Sequence, residues 1–199
     1  MKRVFVLILA LCMVLTGCGS SAKPISFEQF EEKYKRADWE ILTNKPMEFI
    51  DDLNLMSGQP LDDWCKDLDS FEIESNGPTR SLKKEMILFN RPVKFSGTAF
   101  VYPEEKKFFS GSIHIDGTAE ECYGVFLAMF EAAIKSKGDA SELKIRYDEV
   151  DEVAFRTAIS SGDVDSLSAT WNTGDTEKDP TFGCSVYIVS EDRAFITIH

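Results

Sequence analysis

Val93-Lys94-Phe95-Ser96-Gly97-Thr98-Ala99-Phe100-Val101 sets apolar or small side chains at every second position, with Lys94, Ser96 and Thr98 between them. Phe109, Gly111, Ile113 and Ile115 repeat the pattern, separated by Ser110, Ser112 and His114. A period of two over this length is a strand with one buried face. Pro103-Glu104-Glu105 stands between the runs, so the pair is expected to form a hairpin.

The period then changes. Thr118 with Glu121 spells a capping box. The helix it opens is expected to run to Lys137. Glu121, Gly124, Ala128, Glu131 and Lys135 make one narrow stripe, and Cys122, Val125, Phe126, Met129, Phe130, Ala133 and Ile134 fill the rest. So wide an apolar arc predicts a helix nearly enclosed against the sheet.

Upstream, Ser26 and Gln29 form a second capping box ahead of Phe27, Phe30 and Tyr34. A helix is expected from about Asn44, with Pro46 in its first turn and Met47, Ile50 and Leu53 inward. Leu61, Trp64, Cys65 and Leu68 lie at helical spacing. Phe71 to Glu74 alternates and should be a strand closed by Ser75-Asn76-Gly77-Pro78. Residues 82–89 fit strand or helix, with Asn90-Arg91-Pro92 as the break.

Downstream, Leu143, Ile145 and Tyr147 suggest a strand, and Asp148 is expected to cap a helix ending at Ser161-Gly162. Leu167, Ala169 and Trp171 begin a last meander, continued by Phe182, Cys184, Val186 and Ile188 and then by Ala194, Ile196 and Ile198. The predicted fold class is α+β: N-terminal helices, a mostly antiparallel sheet packed on one long central helix, and a C-terminal three-strand meander. Residues 26–199 form one domain in this reading.

The N-terminal residues carry a different signal. Lys2 and Arg3 precede an apolar run from Val4 to Val14, too short to span a bilayer and of the length of a signal h-region. Leu15-Thr16-Gly17-Cys18 follows, and these four residues resemble the lipobox of bacterial lipoproteins. The resemblance covers the first 18 residues only. It implies removal of residues 1–17, cleavage between Gly17 and Cys18, and a lipid anchor (diacylglycerol, with palmitate among its acyl chains) on Cys18. Two chains hold a protein where one does not, at about 0.8 kcal/mol per buried methylene. The expected location is the extracytoplasmic face of the cell membrane. No acid follows Cys18, which by the same resemblance leaves a Gram-positive surface or an outer membrane open. Residues 19–25 make a tether reaching about 20 Å at about 3.3 Å per residue.

Charge narrows the partners. The chain has 34 acidic and 22 basic residues, a net charge of −12, and loss of Lys2 and Arg3 takes it to −14. Such a surface repels phosphate backbones, so no nucleic-acid partner is expected. The expected partners are the membrane, through the lipid on Cys18, and an envelope protein or cell-wall ligand. Fifteen Phe and three Trp argue against disorder.

Few motifs carry chemistry. Cys65, Cys122 and Cys184 fall on apolar faces and read as buried hydrophobes, with one disulfide plus one free thiol as the alternative. Two histidines and no Cys-x-x-Cys give poor support to zinc. Cys122 needs a base, but the strand phase of His114 points it away, and His199 stands at a chain end where strands fray. Ser81-Leu82-Lys83-Lys84 and Ser20-Ser21-Ala22-Lys23 both match Ser-x-x-Lys without its companion motifs. No phosphate loop or hydrolase elbow is present. Asp175, Glu177 and Asp179 alternate as calcium ligands do, yet Pro180 and Val186 stand where an EF-hand needs Gly and Glu. Asp148, Glu149, Asp151 and Glu152 suit a helix start. No cofactor is expected. The function this supports is a membrane-anchored extracytoplasmic lipoprotein with a non-catalytic binding domain. The alternative is an extracytoplasmic hydrolase, directed at cell wall or glycan, with a carboxylate pair that chain spacing does not reveal.

Overall fold

The computed structural model describes residues 23–101, 106–162, 164–172 and 182–199. Six helices lie among them: α1 (Phe27–Lys35), α2 (Ile41–Asn44), α3 (Pro46–Leu55), α4 (Leu61–Trp64), α5 (Ala119–Lys137) and α6 (Glu152–Ser161). The strands are β1 (Glu72–Asn76), β2 (Thr79–Leu88), β3 (Arg91–Phe100), β4 (Lys107–Gly117), β5 (Glu142–Ile145), β6 (Asp148–Glu149), β7 (Ser166–Trp171), β8 (Phe182–Ser190) and β9 (Arg193–Ile198).

These nine strands join in one antiparallel sheet, in the order β1-β2-β3-β4-β9-β8-β7-β5-β6. This corrects the expected α+β layout. One long central helix does not organise the chain; one continuous sheet does. The 19-residue α5 lies against β4, β8 and β9 and packs on α2 and α3, and its Phe130 reaches Trp171 of β7 at 5.9 Å. Helix α1 covers β2, α4 meets β4, and α6 meets β5. The meander β7-β8-β9 is not a separate unit either, because β9 hydrogen-bonds to β4 with Ile115 opposite Ile196. Backbone groups of an edge strand must find partners, and here the two meanders supply each other's.

The helices pack on one face. Leu82, Met86, Val93, Phe95, Phe108, Ile113, Ile196, Cys184, Val186, Leu167 and Ala169 point inward and are buried. Phe27 of α1 meets Phe95 at 5.1 Å, Trp64 of α4 stacks on Phe108 at 4.2 Å, and Phe155 of α6 meets Phe130 of α5 at 5.2 Å. Both capping boxes form, at Ser26–Gln29 and at Thr118–Glu121.

Several local expectations shift. Residues 82–88 belong to strand β2, and the break comes at Phe89-Asn90, both at positive φ (56° and 57°), in a two-residue hairpin turn. Pro92 lies inside β3, opposite Ile87. Phe109 does not share a face with Ile113. The pairing jumps from Thr98↔Ser110 to Ala99↔Phe108, so Phe109 is the extra residue of a β-bulge. Phe108 is therefore buried, while Phe109 is 47% exposed beside Phe100. The cap of α6 is Asp151, whose side chain accepts from the Ala154 N–H. Asp148 belongs instead to β6.

Candidate functional site: the open face of the sheet

The inward side chains of each strand meet helices, so the alternate positions face the other way. Register places them in rows. Lys144, Ser168, Ser185, Thr197, His114, Lys94 and Glu85 are neighbours across seven strands, from β5 to β2. On one side of this row, Ser166 lies opposite Tyr187, Tyr187 opposite Phe195, and Phe195 opposite Asp116. On the other, Thr170 lies opposite Gly183, whose backbone exchanges hydrogen bonds with His199 (2.7 and 3.0 Å). Both histidines of the chain thus lie on this face.

The side chains in the rows touch. The Ser185 hydroxyl donates to Ser168 Oγ at 2.8 Å. His114 Nδ1 and Thr197 Oγ1 are 3.3 Å apart. His114 Nε2 lies 3.6 Å from Asp116 Oδ1. The His114 ring sits 4.6 Å from Phe195, and Phe195 stacks on Tyr187 at 4.9 Å and 20°. Those spacings equal the distance between neighbouring strands, about 4.8 Å. The rings therefore stand in file across β4, β9 and β8 and present their edges outward. Ser166 is 8% exposed, and its hydroxyl has no hydrogen-bond partner.

His199 does not fray. Its imidazole occupies the space where a Cβ on Gly183 would lie, and burial pulls its pKa below the ordinary histidine value. Only a residue without a side chain leaves that seat open.

Asp116, His114 and Thr197 stand in the order acid, imidazole, hydroxyl. The 3.6 Å separation is long for a hydrogen bond, and the Asp116 side chain is 67% exposed. Water reaches this end of the row, so the arrangement suits contact with a ligand better than activation of a nucleophile.

Other expected chemistry scatters. Cys122 is buried on α5 under the inward face, with His114 on the opposite side of the sheet. Cys65, Cys122 and Cys184 are buried and unbonded. Burial pushes the Cys65 thiol up to about 12. Burial, reinforced by the Glu121 charge, pushes Cys122 up to about 11. A nucleophilic thiol needs the reverse. Ser81 and Lys84 point to opposite faces of β2; Lys84 lies 5.1 Å over the rings of Phe27 and Phe71 and donates to Ser70 Oγ. The Ser-x-x-Lys match at Ser81 therefore has no common site.

A cleft of ≈ 240 Å³ opens between the end of α5, β5, β6 and the start of α6, lined by Asp139, Glu142, Glu149, Asp151 and Glu152. Lys144 pairs with Glu142 at 2.7 Å and holds that carboxyl below the ordinary range. Among the described residues no group of three or more His, Cys, Asp or Glu could hold a metal. Asp175, Glu177, Asp179 and Cys18 fall outside the described residues. No described helix is long and apolar enough to cross a membrane.

The open face was half legible. The outward residues of β3 and β4 follow from alternation alone. That Thr197, Ser185 and Ser168 stand beside His114 follows from the β4–β9 pairing, for which the sequence holds no local signal. No protein-family model matches the chain, no curated protein matches its sequence, and no solved structure matches its fold.

Proposed function

We propose that the protein is a lipid-anchored binding domain of a bacterial envelope, tethered through Cys18 and recognising its ligand with the open face of the sheet. The observation that carries the binding reading is that face itself. Helices cover the inward side of the sheet, while rows of hydroxyl, imidazole and aromatic side chains stand on the other. The lipobox-like residues Leu15 to Cys18 support the anchor.

The hydrolase reading has less behind it. A general acid needs its carboxyl held up. Glu28, Glu48, Glu121, Glu142 and Asp165 are all held down.

Two measurements test the proposal. Cells fed radiolabelled palmitate should label the wild-type protein and not Cys18→Ala, and the variant should leave the membrane fraction. An unlabelled wild-type band removes the anchor. A thermal-shift screen against cell-wall fragments and peptides should raise the melting temperature, as any ligand of the folded state does. Ser185→Arg, on the open face, should abolish that rise. If no probe moves the wild type, or if Ser185→Arg responds as the wild type does, the binding face is wrong.

A further inference from the structure

The central part of the open face is small, hydroxyl-rich and almost uncharged. Three outward positions on each of β4, β9, β8 and β7 make up a patch of roughly 14 Å by 13 Å, at about 4.8 Å between strands and about 3.3 Å per residue along them. The chain has 34 acids and 22 bases, yet among these positions the carboxylate is Asp116, with His114 beside it. Serine and threonine hydroxyls take half of the positions, each able both to donate and to accept.

We infer that this patch is a subsite for an uncharged saccharide, seated on Ser168, Ser185 and Thr197 against the edges of Tyr187 and Phe195. The inference rests on the binding reading above and names the ligand class.

The chemistry selects that class. A saccharide offers hydroxyls that also donate and accept, and C–H groups that make van der Waals contact with the ring rims beside them. The patch spans a short oligosaccharide. A charged ligand would need a fixed counter-charge, and among these positions the one carboxylate, Asp116, stands at a corner of the patch with its side chain 67% exposed. A folded protein partner or a second copy needs about 800 Å² on each side with an apolar centre. The patch has roughly a quarter of that area, and its large apolar rings are confined to one file. Two copies at −12 each also repel.

Ser166 is the second, independent sign of a ligand. The residue is 8% exposed, it lies on this face opposite Tyr187, and its buried hydroxyl has no hydrogen-bond partner. Native buried polar groups almost always have partners. A ligand hydroxyl seated beside Tyr187 would supply one.

The test uses the full chain, amide-resolved NMR, and named probes: chitotriose and maltotriose as uncharged saccharides, a galacturonate trimer as the acidic one, and a Lys-rich and a Glu-rich peptide. The expected result is a shift of the Ser166, Ser168, Ser185, Tyr187 and Thr197 amides with an uncharged trisaccharide. Affinity should fall at least about tenfold in Tyr187→Ala and in Ser185→Ala, the loss of one well-placed contact. Tyr187→Phe, which keeps the ring, should retain most of it and guards against a variant that merely misfolds. If neither uncharged probe shifts those amides, the inference is overturned. If a peptide or the acidic trimer shifts them instead, the saccharide inference falls while the binding reading stands. If every probe leaves the face silent, both fall.

Discussion

Gly97 and Gly111 face each other across β3 and β4 on the buried side of the sheet, and the rings of Phe95 and Phe108 rest on them. A Cβ at Gly97 would lie 2.8 Å from Phe108 Cε2 and 2.9 Å from Phe95 Cε1. Carbon atoms prefer about 3.5–4.0 Å, so Gly97→Ala asks a ring to retreat by about 0.7 Å. Phe108 backs onto Trp64, 4.2 Å away and within 5° of parallel. Phe95 backs onto Phe27 at 5.1 Å. Neither has room, and overpacking of this kind costs about 1–3 kcal/mol. Reduced freedom of the unfolded chain returns about 0.4–1 kcal/mol. The expected net loss is about 1–2 kcal/mol, a few degrees in melting temperature for a domain of this size. Gly124 on α5 is the control: a Cβ there meets nothing within 4 Å. Gly124→Ala should gain about 0.5–1 kcal/mol by helix propensity alone. Urea unfolding followed by tryptophan fluorescence reads both. The double variant Gly97→Ala/Phe108→Leu should lose less than the sum of the single changes, since the leucine frees the space the new methyl needs. If Gly97→Ala matches the wild type, or moves in the same direction as Gly124→Ala, the glycine pair is not the floor of the aromatic cluster and the packing argument fails.

Glu121 links α5 to β3 by accepting from Arg91 at 2.6 Å, and with the Thr118 N–H this outweighs its partial burial and holds the carboxyl at about 2. A depressed acid stabilises above its unfolded value, so this contribution is complete above pH 4.5 and drains as pH falls toward about 2. Glu121→Gln should cost about 1 kcal/mol at pH 7 and flatten the urea midpoint between pH 4.5 and 2; an unchanged acid slope would show that Arg91 does not hold it. His199 runs with the same sign in a different window. Its buried imidazole stays neutral where the unfolded chain protonates, so stability should fall as pH drops through 6.5, and His199→Gln should reduce that fall. Cys65, Cys122 and Cys184 should resist a thiol reagent at pH 8 in the native protein and all react in denaturant; two missing equivalents after unfolding would reveal a disulfide.

What was legible in the residues was local. Both capping boxes lie where Ser26-x-x-Gln29 and Thr118-x-x-Glu121 place them, because a cap involves groups within one helical turn. The inward sides of β3, β7, β8 and β9 follow from alternation for the same reason. The errors also have local causes. A bulge adds one residue and reverses every later side chain, so Phe108 and Phe109 exchanged roles. Asp148 and Asp151 are equally good caps on paper, and the hairpin of β5 with β6 consumed the first.

The chain alone settled its periodicities, its acidity and the signal-like run before Cys18, each a property of neighbours or of sums. The joining of two meanders into one sheet was decided only in three dimensions, through the hydrogen bonds of β4 with β9. Residues 113–117 and 194–198 are some eighty positions apart, and the backbone groups that unite them are identical in every residue. Side-chain pattern states which way a strand faces; it does not name the strand beside it. For that reason His114, Thr197, Ser185 and Ser168 become a single surface only once the sheet has closed.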